Sequence, residues 1–454
     1  MKKMSFFSIM VMSAFSLTAQ VNPAISSWLR NTTGIKGRHY VNGNSTPIQD
    51  MDSANIKTVL YSSNWVYVRA NGVPAYITGP FLDGNPSITT SQNAIFKLPL
   101  NPVQNTGVPA NTTPGNIGIF INGAALFDYR DDVSWQNSTN SLKGGPLGGV
   151  GDKVWNRDAV VAEKGGFDCA KGHPAQGNYH HHQNPSAFKL DKVVISTICN
   201  LYDADGLYVM DSTQHAPLIG YAADGFPIYG AFAYKNVDGT GGITRMKSSY
   251  FKRTTMTTRT TYANGTTVTP GPDVNATYPI GYFREDYEYI APAVGATDYL
   301  DEHNGRFCIT PEYPNGIYCY FATVDANWNS AYPYAVGPQF YGVKSGTKVT
   351  TITEPVTIYT GNPDGVSEHN LDNMQLSVFP NPSQDIVAVQ MGSLISTTID
   401  ITLSDLNGRV LAKSHILPGS TIAYFDTRTY YSGTYIVTVS DGVNKRSQKL
   451  VLVK

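Results

Sequence analysis

The apolar runs of this chain are short, and glycine, proline or asparagine stops them. Ile95-Phe96-Lys97-Leu98 runs into Pro99, and Ile117-Gly118-Ile119-Phe120-Ile121 ends at Asn122-Gly123. Val59-Leu60-Tyr61 and Trp65-Val66-Tyr67-Val68 are of similar length. Runs of about four to eight residues bounded by turn formers read as strands. One segment, 155–164, ended by Gly165-Gly166, reads as a short helix. The expected fold is therefore mainly β. Composition agrees, with 42 Gly, 29 Tyr and 15% charged residues, against about 25% charged in an average domain. A length of 454 residues predicts two or three domains. A net charge of -1 without a long basic run argues against nucleic acid or an anionic membrane as partner.

The densest chemistry lies in Gly172-His173-Pro174-Ala175-Gln176-Gly177-Asn178-Tyr179-His180-His181-His182-Gln183, which holds four of the nine histidines. On an extended chain, side chains alternate between faces. His180 and His182 then share one face, while Tyr179 and His181 share the other. Pro174 and Gly177 can turn the chain so that His173 approaches the pair. Three neutral imidazoles in this arrangement suit zinc, and also copper. The bland alternative is a hydrogen-bonded polar network with no metal.

Residues 1–19 read as a signal peptide. Lys2-Lys3 is followed by an apolar stretch over 6–15 and by Thr18-Ala19 ahead of Gln20. This run is shorter than the about 20 apolar residues of a membrane span, and no later stretch replaces it. The mature chain is expected to be exported without a transmembrane segment. Four cysteines in an exported chain suggest disulfides. Cys169 with Cys199 and Cys308 with Cys319 are the expected pairs, the second across the turn Thr310-Pro311-Glu312-Tyr313-Pro314-Asn315-Gly316. A thiolate metal site is the alternative.

Two further clusters follow. His215-Ala216-Pro217-Leu218-Ile219-Gly220-Tyr221 leads into Asp224-Gly225-Phe226-Pro227-Ile228-Tyr229-Gly230. His215 could add a fourth metal ligand from outside the first stretch. Asp301-Glu302-His303-Asn304-Gly305-Arg306 is either a solvated turn or the rim of a site. If chemistry occurs, Asp224 and Glu302 are the candidate general bases.

These clusters, with Asp168-Cys169 and Tyr332-Pro333-Tyr334, together resemble the YHYH domain family over about residues 57–342. The family takes its name from a Tyr-His-Tyr-His tetrapeptide. Here it reads Tyr179-His180-His181-His182, and a later copy reads Tyr318-Cys319-Tyr320-Phe321 without histidine. The resemblance implies a domain, and no particular activity. From Leu376 the pattern changes. Ile399-Asp400-Ile401-Thr402-Leu403-Ser404 alternates apolar and polar residues before Asn407-Gly408, as in a small Ig-like β-sandwich. Its Pro380-Asn381-Pro382 opening, Asn407-Gly408-Arg409, Ser432-Gly433-Thr434-Tyr435 and basic end resemble the type A C-terminal sorting domain of the type IX secretion system. That implies a bacterium of the Bacteroidota, export through the periplasm, and a secreted or outer-membrane surface location. It also makes the secretion machinery a partner.

The expected organisation is a signal peptide at 1–19, a polar, irregular lead-in at 20–56 and a large β-rich YHYH domain at 57–345. A strand or two and a linker follow within 346–372, then the sorting domain at 373–454. The first functional reading is a secreted or cell-surface metal-binding protein, with His173, His180, His182 and His215 around zinc or copper. An open coordination position would make it a hydrolase or oxidase candidate. The alternative is a module that binds surface polysaccharide or matrix through Trp65, Trp135 and Trp328. A structural surface protein is the third.

Overall fold

The computed structural model describes residues 21–82, 87–361, 376–392, 398–406, 408–417, 420–441 and 445–454. The expected signal peptide lies outside the described residues, as does the last part of the expected linker.

Eight short strands form the central sheet. They are β1 (Asn116–Phe120), β2 (Ala125–Phe127), β3 (His173–Ala175), β4 (Asn178–His181), β5 (Leu218–Ala222), β6 (Pro227–Tyr229), β7 (Gly305–Cys308) and β8 (Ile317–Phe321). Their order across the sheet is β3-β4-β2-β1-β5-β6-β8-β7. β1 and β5 meet antiparallel at the centre, Gly118 opposite Ala222 and Gly220 opposite Phe120. A β-carbon on Gly118 would lie 2.7 Å from the Tyr221 carbonyl oxygen, and one on Gly220 2.7 Å from that of Ile119. The close approach of these two strands therefore requires glycine at both positions. Each central strand turns back through a short loop, Asn122-Gly123 before β2 and Asp224-Gly225 before β6. β2 then pairs parallel with β4, and β6 parallel with β8. Both outer pairs, β3 with β4 and β7 with β8, are antiparallel. The sheet thus reads the same from either edge.

A second sheet has five strands. Ala94–Pro99, Trp65–Ala70 and Ile56–Tyr61 form its middle, with Thr347–Val349 and Thr357–Ile358 at the two edges. The strands expected at the head of the 346–372 segment thus belong to the large domain. Val59, Val66, Val68 and Phe96 of this sheet share one buried cluster with Ile119, Phe120 and Tyr221 of the central sheet. The lead-in is more ordered than its sequence suggests. Lys36–Val41 and Asn44–Ser53 pair antiparallel, and Trp28 and Leu29 are buried in the main core. The second of these strands is mostly exposed, so its polar sequence carries no alternation to read.

The C-terminal segment is a separate two-sheet unit. Leu376–Phe379, Ile386–Met391 and Ile422–Asp426 form one sheet. Val410–Ile416, Ile399–Asp405, Gly433–Ser440 and Lys445–Leu452 form the other. Ile401, Leu403, Val437 and Val439 point into a core of its own with Val387 and Val389, as alternation predicts.

Cys169 and Cys199 form the expected disulfide. Cys308 and Cys319 do not: both are buried and free. The hairpin forms as expected, but its register sets Arg306 opposite Cys319 and Cys308 opposite Ile317. The two cysteines are therefore diagonal neighbours, offset by two residues.

Candidate metal centre

The centre is built on the β3–β4 hairpin. Gln176 and Gly177 turn it, both with positive φ. Register then sets His173 opposite His180, so the two share a face. A loop anchored on Asp168 leads into β3. Its carboxylate accepts from the Ala170, Gly172 and Gly79 amides and from the Tyr179 hydroxyl. Gly172 lies against that tyrosine, where a β-carbon would come within 2.4 Å of the ring and hydroxyl.

The ligand atoms of His173, His180 and His182 all lie within 4.8 Å of one another, and all three side chains are buried. Two rings are held in one tautomer by backbone. His180 Nδ1–H donates to the Asn178 carbonyl at 2.8 Å, and His182 Nδ1–H to the Asp128 carbonyl at 2.5 Å. Both therefore present a bare Nε2, the arrangement that metal-binding histidines use. The two Nε2 atoms are 3.1 Å apart. Phe127 stacks on His180 at 3.8 Å and fixes its ring plane. Burial, with His182 and His173 beside it, holds His180 well below the ordinary imidazole pKa. His180 is thus held neutral, the form a metal needs.

Glu163 was not singled out by sequence reasoning. It follows a one-turn helix, Ala159–Ala162, all that forms of the α-helix expected over 155–164, because Asn156–Asp158 is a strand paired with Arg130–Gln136. The helix is capped by Asp158, whose carboxylate accepts from the Val160 and Val161 amides and, on its other oxygen, from the Tyr334 hydroxyl. This brings Glu163 Oε2 to 3.4 Å from His173 Nε2 and 3.3 Å from His182 Nε2. Burial would raise the Glu163 carboxyl, but the His173 and His182 rings hold it below the usual carboxylate range. The one sequence signal for it was an acid at the end of a short helix that closes on Gly165-Gly166.

Lone pairs this close repel unless a proton or a metal ion lies between them. A tetrahedral ion with bonds of about 2.0–2.1 Å puts its ligand atoms roughly 3.3 Å apart. Three of the six donor separations, 3.1, 3.3 and 3.4 Å, lie near that edge, while the three histidine ligand atoms spread over 4.8 Å, so a bound ion would draw them closer together.

His181 faces away, as alternation predicts. Its Nε2 accepts from the Tyr76 hydroxyl at 2.7 Å and its Nδ1–H donates to the Lys171 carbonyl at 3.1 Å. The other expected site residues are not at the centre. His215 packs against Tyr229 and Tyr234, with Nδ1 on the Ala216 carbonyl, before the central strand β5. Asp224 anchors its turn, accepting from the Phe226 and Gly342 amides and the Tyr320 hydroxyl. Glu302 is over half exposed and faces His303. The three tryptophans expected to bind glycan are engaged within the protein. Trp135 is buried, Lys97 lies over Trp65, and Trp328 packs on Phe232 and beneath Lys192.

Fold and centre define a mainly β protein with a buried histidine cluster and an appended sandwich. The chain belongs to the YHYH family: the YHYH protein description matches residues 95–333, more than half of its 454 residues. The secretion system C-terminal sorting domain matches residues 377–454. No curated protein matches the chain. The sorting domain marks it for type IX export to the cell surface or beyond. No helix among the described residues is long and apolar enough to cross a membrane.

Proposed function

We propose that this exported protein holds a transition-metal ion, zinc or copper, through Nε2 of His173, His180 and His182, with the Glu163 carboxylate as fourth donor. The observation that carries this reading is the pair of Nδ1–H groups given to backbone carbonyls, which leaves bare Nε2 atoms 3.1 Å apart in a buried site. A polar network without metal would need an extra proton on one of these two rings to hold the nitrogens at this distance. Four protein donors make a closed site, the kind that holds a metal for structure rather than for turnover. Glu163 is the donor that reaches solvent, at 20% side-chain exposure against 8% for His173 and 3% for His182. Metal entry and exchange would pass it.

The deciding experiment is elemental analysis of full chain purified without a histidine tag. About one equivalent of zinc or copper per chain is expected, as a three-histidine set predicts. It should be lost in His180→Ala and in His182→Ala and kept in His181→Ala. Protein free of metal, and unable to take it up after dialysis, would remove this reading.

A further inference from the structure

The two halves of the central sheet correspond residue by residue. In β1 and β2, Gly118 pairs with Leu126; in β5 and β6, Gly220 pairs with Ile228. Gly123 and Gly225 occupy the same turn position at φ +89° and +90°. The loops into the outer hairpins also match. Asp168 accepts from the amides two and four residues on and from Tyr179; Asp301 accepts from the amides of His303 and Gly305 and from Tyr318. Lys171 and Asn304, four residues into the two motifs, both sit at φ +64°. A β-carbon on Gly172 would strike the Tyr179 ring, and one on Gly305 the Tyr318 ring. The register of the outer hairpins then makes Arg306 the counterpart of His173 and Cys319 the counterpart of His180. Phe321 stands for His182 by the same count.

All three histidines of the first half are thus replaced in the second, and one replacement is itself a cation. Arg306 is 8% exposed. Its guanidinium donates to the carbonyls of Lys235, Thr297 and Tyr234 and lies 5.7 Å over the Phe321 ring. Three carbonyl oxygens from two segments, Tyr234-Lys235 and Thr297, converge on it, which is what a cation site offers.

We propose that the domain is two copies of one four-stranded unit, and that the second copy carries a built-in cation, the Arg306 guanidinium, where the first takes a metal ion. The comparison with a metal rests on the function proposed above; the need for a cation at position 306 does not. One copy is then loaded from solution and the other is permanently filled, so the chain takes one metal ion and not two.

Two measurements on the full chain test this. Arg306→Lys keeps a cation with three donors, whereas Arg306→Met keeps bulk without charge. The thermal midpoint, or the soluble yield where a variant gives no transition, should fall in the order parent, Lys, Met. Lys no better than Met, including equal failure of both to fold, overturns the proposal. Zinc titration of the parent should saturate at one equivalent, and the His180→Ala variant should take none. A second equivalent that survives His180→Ala also overturns it. A parent that binds no zinc removes the metal reading alone, and the Lys and Met comparison still decides the cation.

Discussion

His181 shows why a three-histidine run is not three equivalent histidines. The family tetrapeptide has tyrosine at this position, and the counterpart in the second half is Tyr320, whose hydroxyl donates to Asp224. Both side chains face away from the triad positions and serve buried hydrogen bonds, so the residue type can change without touching His173, His180 or His182. His181→Ala should therefore keep metal but cost stability, because it removes a buried hydrogen-bond partner of the Tyr76 hydroxyl. A loss of about 1–3 kcal/mol is expected, read by urea unfolding with metal content measured in parallel. Glu163 is the opposite case. Glu163→Gln should weaken zinc binding by about tenfold or more, the scale of losing one polar contact at a metal. Competition with a chelator of known affinity measures it, and unchanged affinity would show that the carboxylate is no ligand. The histidines were legible because period-two alternation acts locally along the chain. Glu163 was not, because a cap on Asp158 and a hydroxyl from Tyr334, far away in sequence, place it.

At the scale of elements, hairpins were legible and their register was not. The turn between β7 and β8 stood out through Pro314, Asn315 and Gly316, yet the pairing of Cys308 with Ile317 decides the thiols. Thiol counting in denaturant without reductant should find two free groups, and peptide mapping should link Cys169 to Cys199. A recovered Cys308–Cys319 peptide would show that these neighbouring thiols, free in the structure, oxidise to a bridge. The strand opening β5 carries its own test, since His215 packs among Tyr229 and Tyr234 away from the histidine cluster. Burial lowers its imidazole from 6.5 to about 4. The unfolded ring binds a proton below 6.5 and the folded ring only below about 4, so stability rises with pH across that window. Between pH 8 and pH 5 the parent should lose on the order of 1–2 kcal/mol more than His215→Phe, from the half of that window crossed. Equal losses would mean that the folded ring is protonated as freely as the unfolded one.

For the whole molecule, the boundary between units follows from which apolar faces meet. The sandwich strands alternate cleanly, so their core could be read from the sequence. The central sheet could not be assembled that way. It joins β4 to β2 and β8 to β6 in parallel, across long loops and between strands buried on both faces. The outcome is a large buried cluster in each unit, separate from the other, with two smaller aromatic clusters in the YHYH unit. Each keeps its own apolar faces covered, so a cut between residues 361 and 376 opens neither core. Cleavage there on export would therefore leave a folded remainder with the histidine cluster intact. Extracellular protein from the native host should end before about residue 376 by intact mass, with a start near Gln20. The recombinant 21–361 chain should unfold in one cooperative transition and hold the same metal content as the full chain, because all four donors lie on its side of the cut. Loss of metal or of the transition on truncation would show that the sandwich supports the histidine centre, and that the two large clusters are not independent.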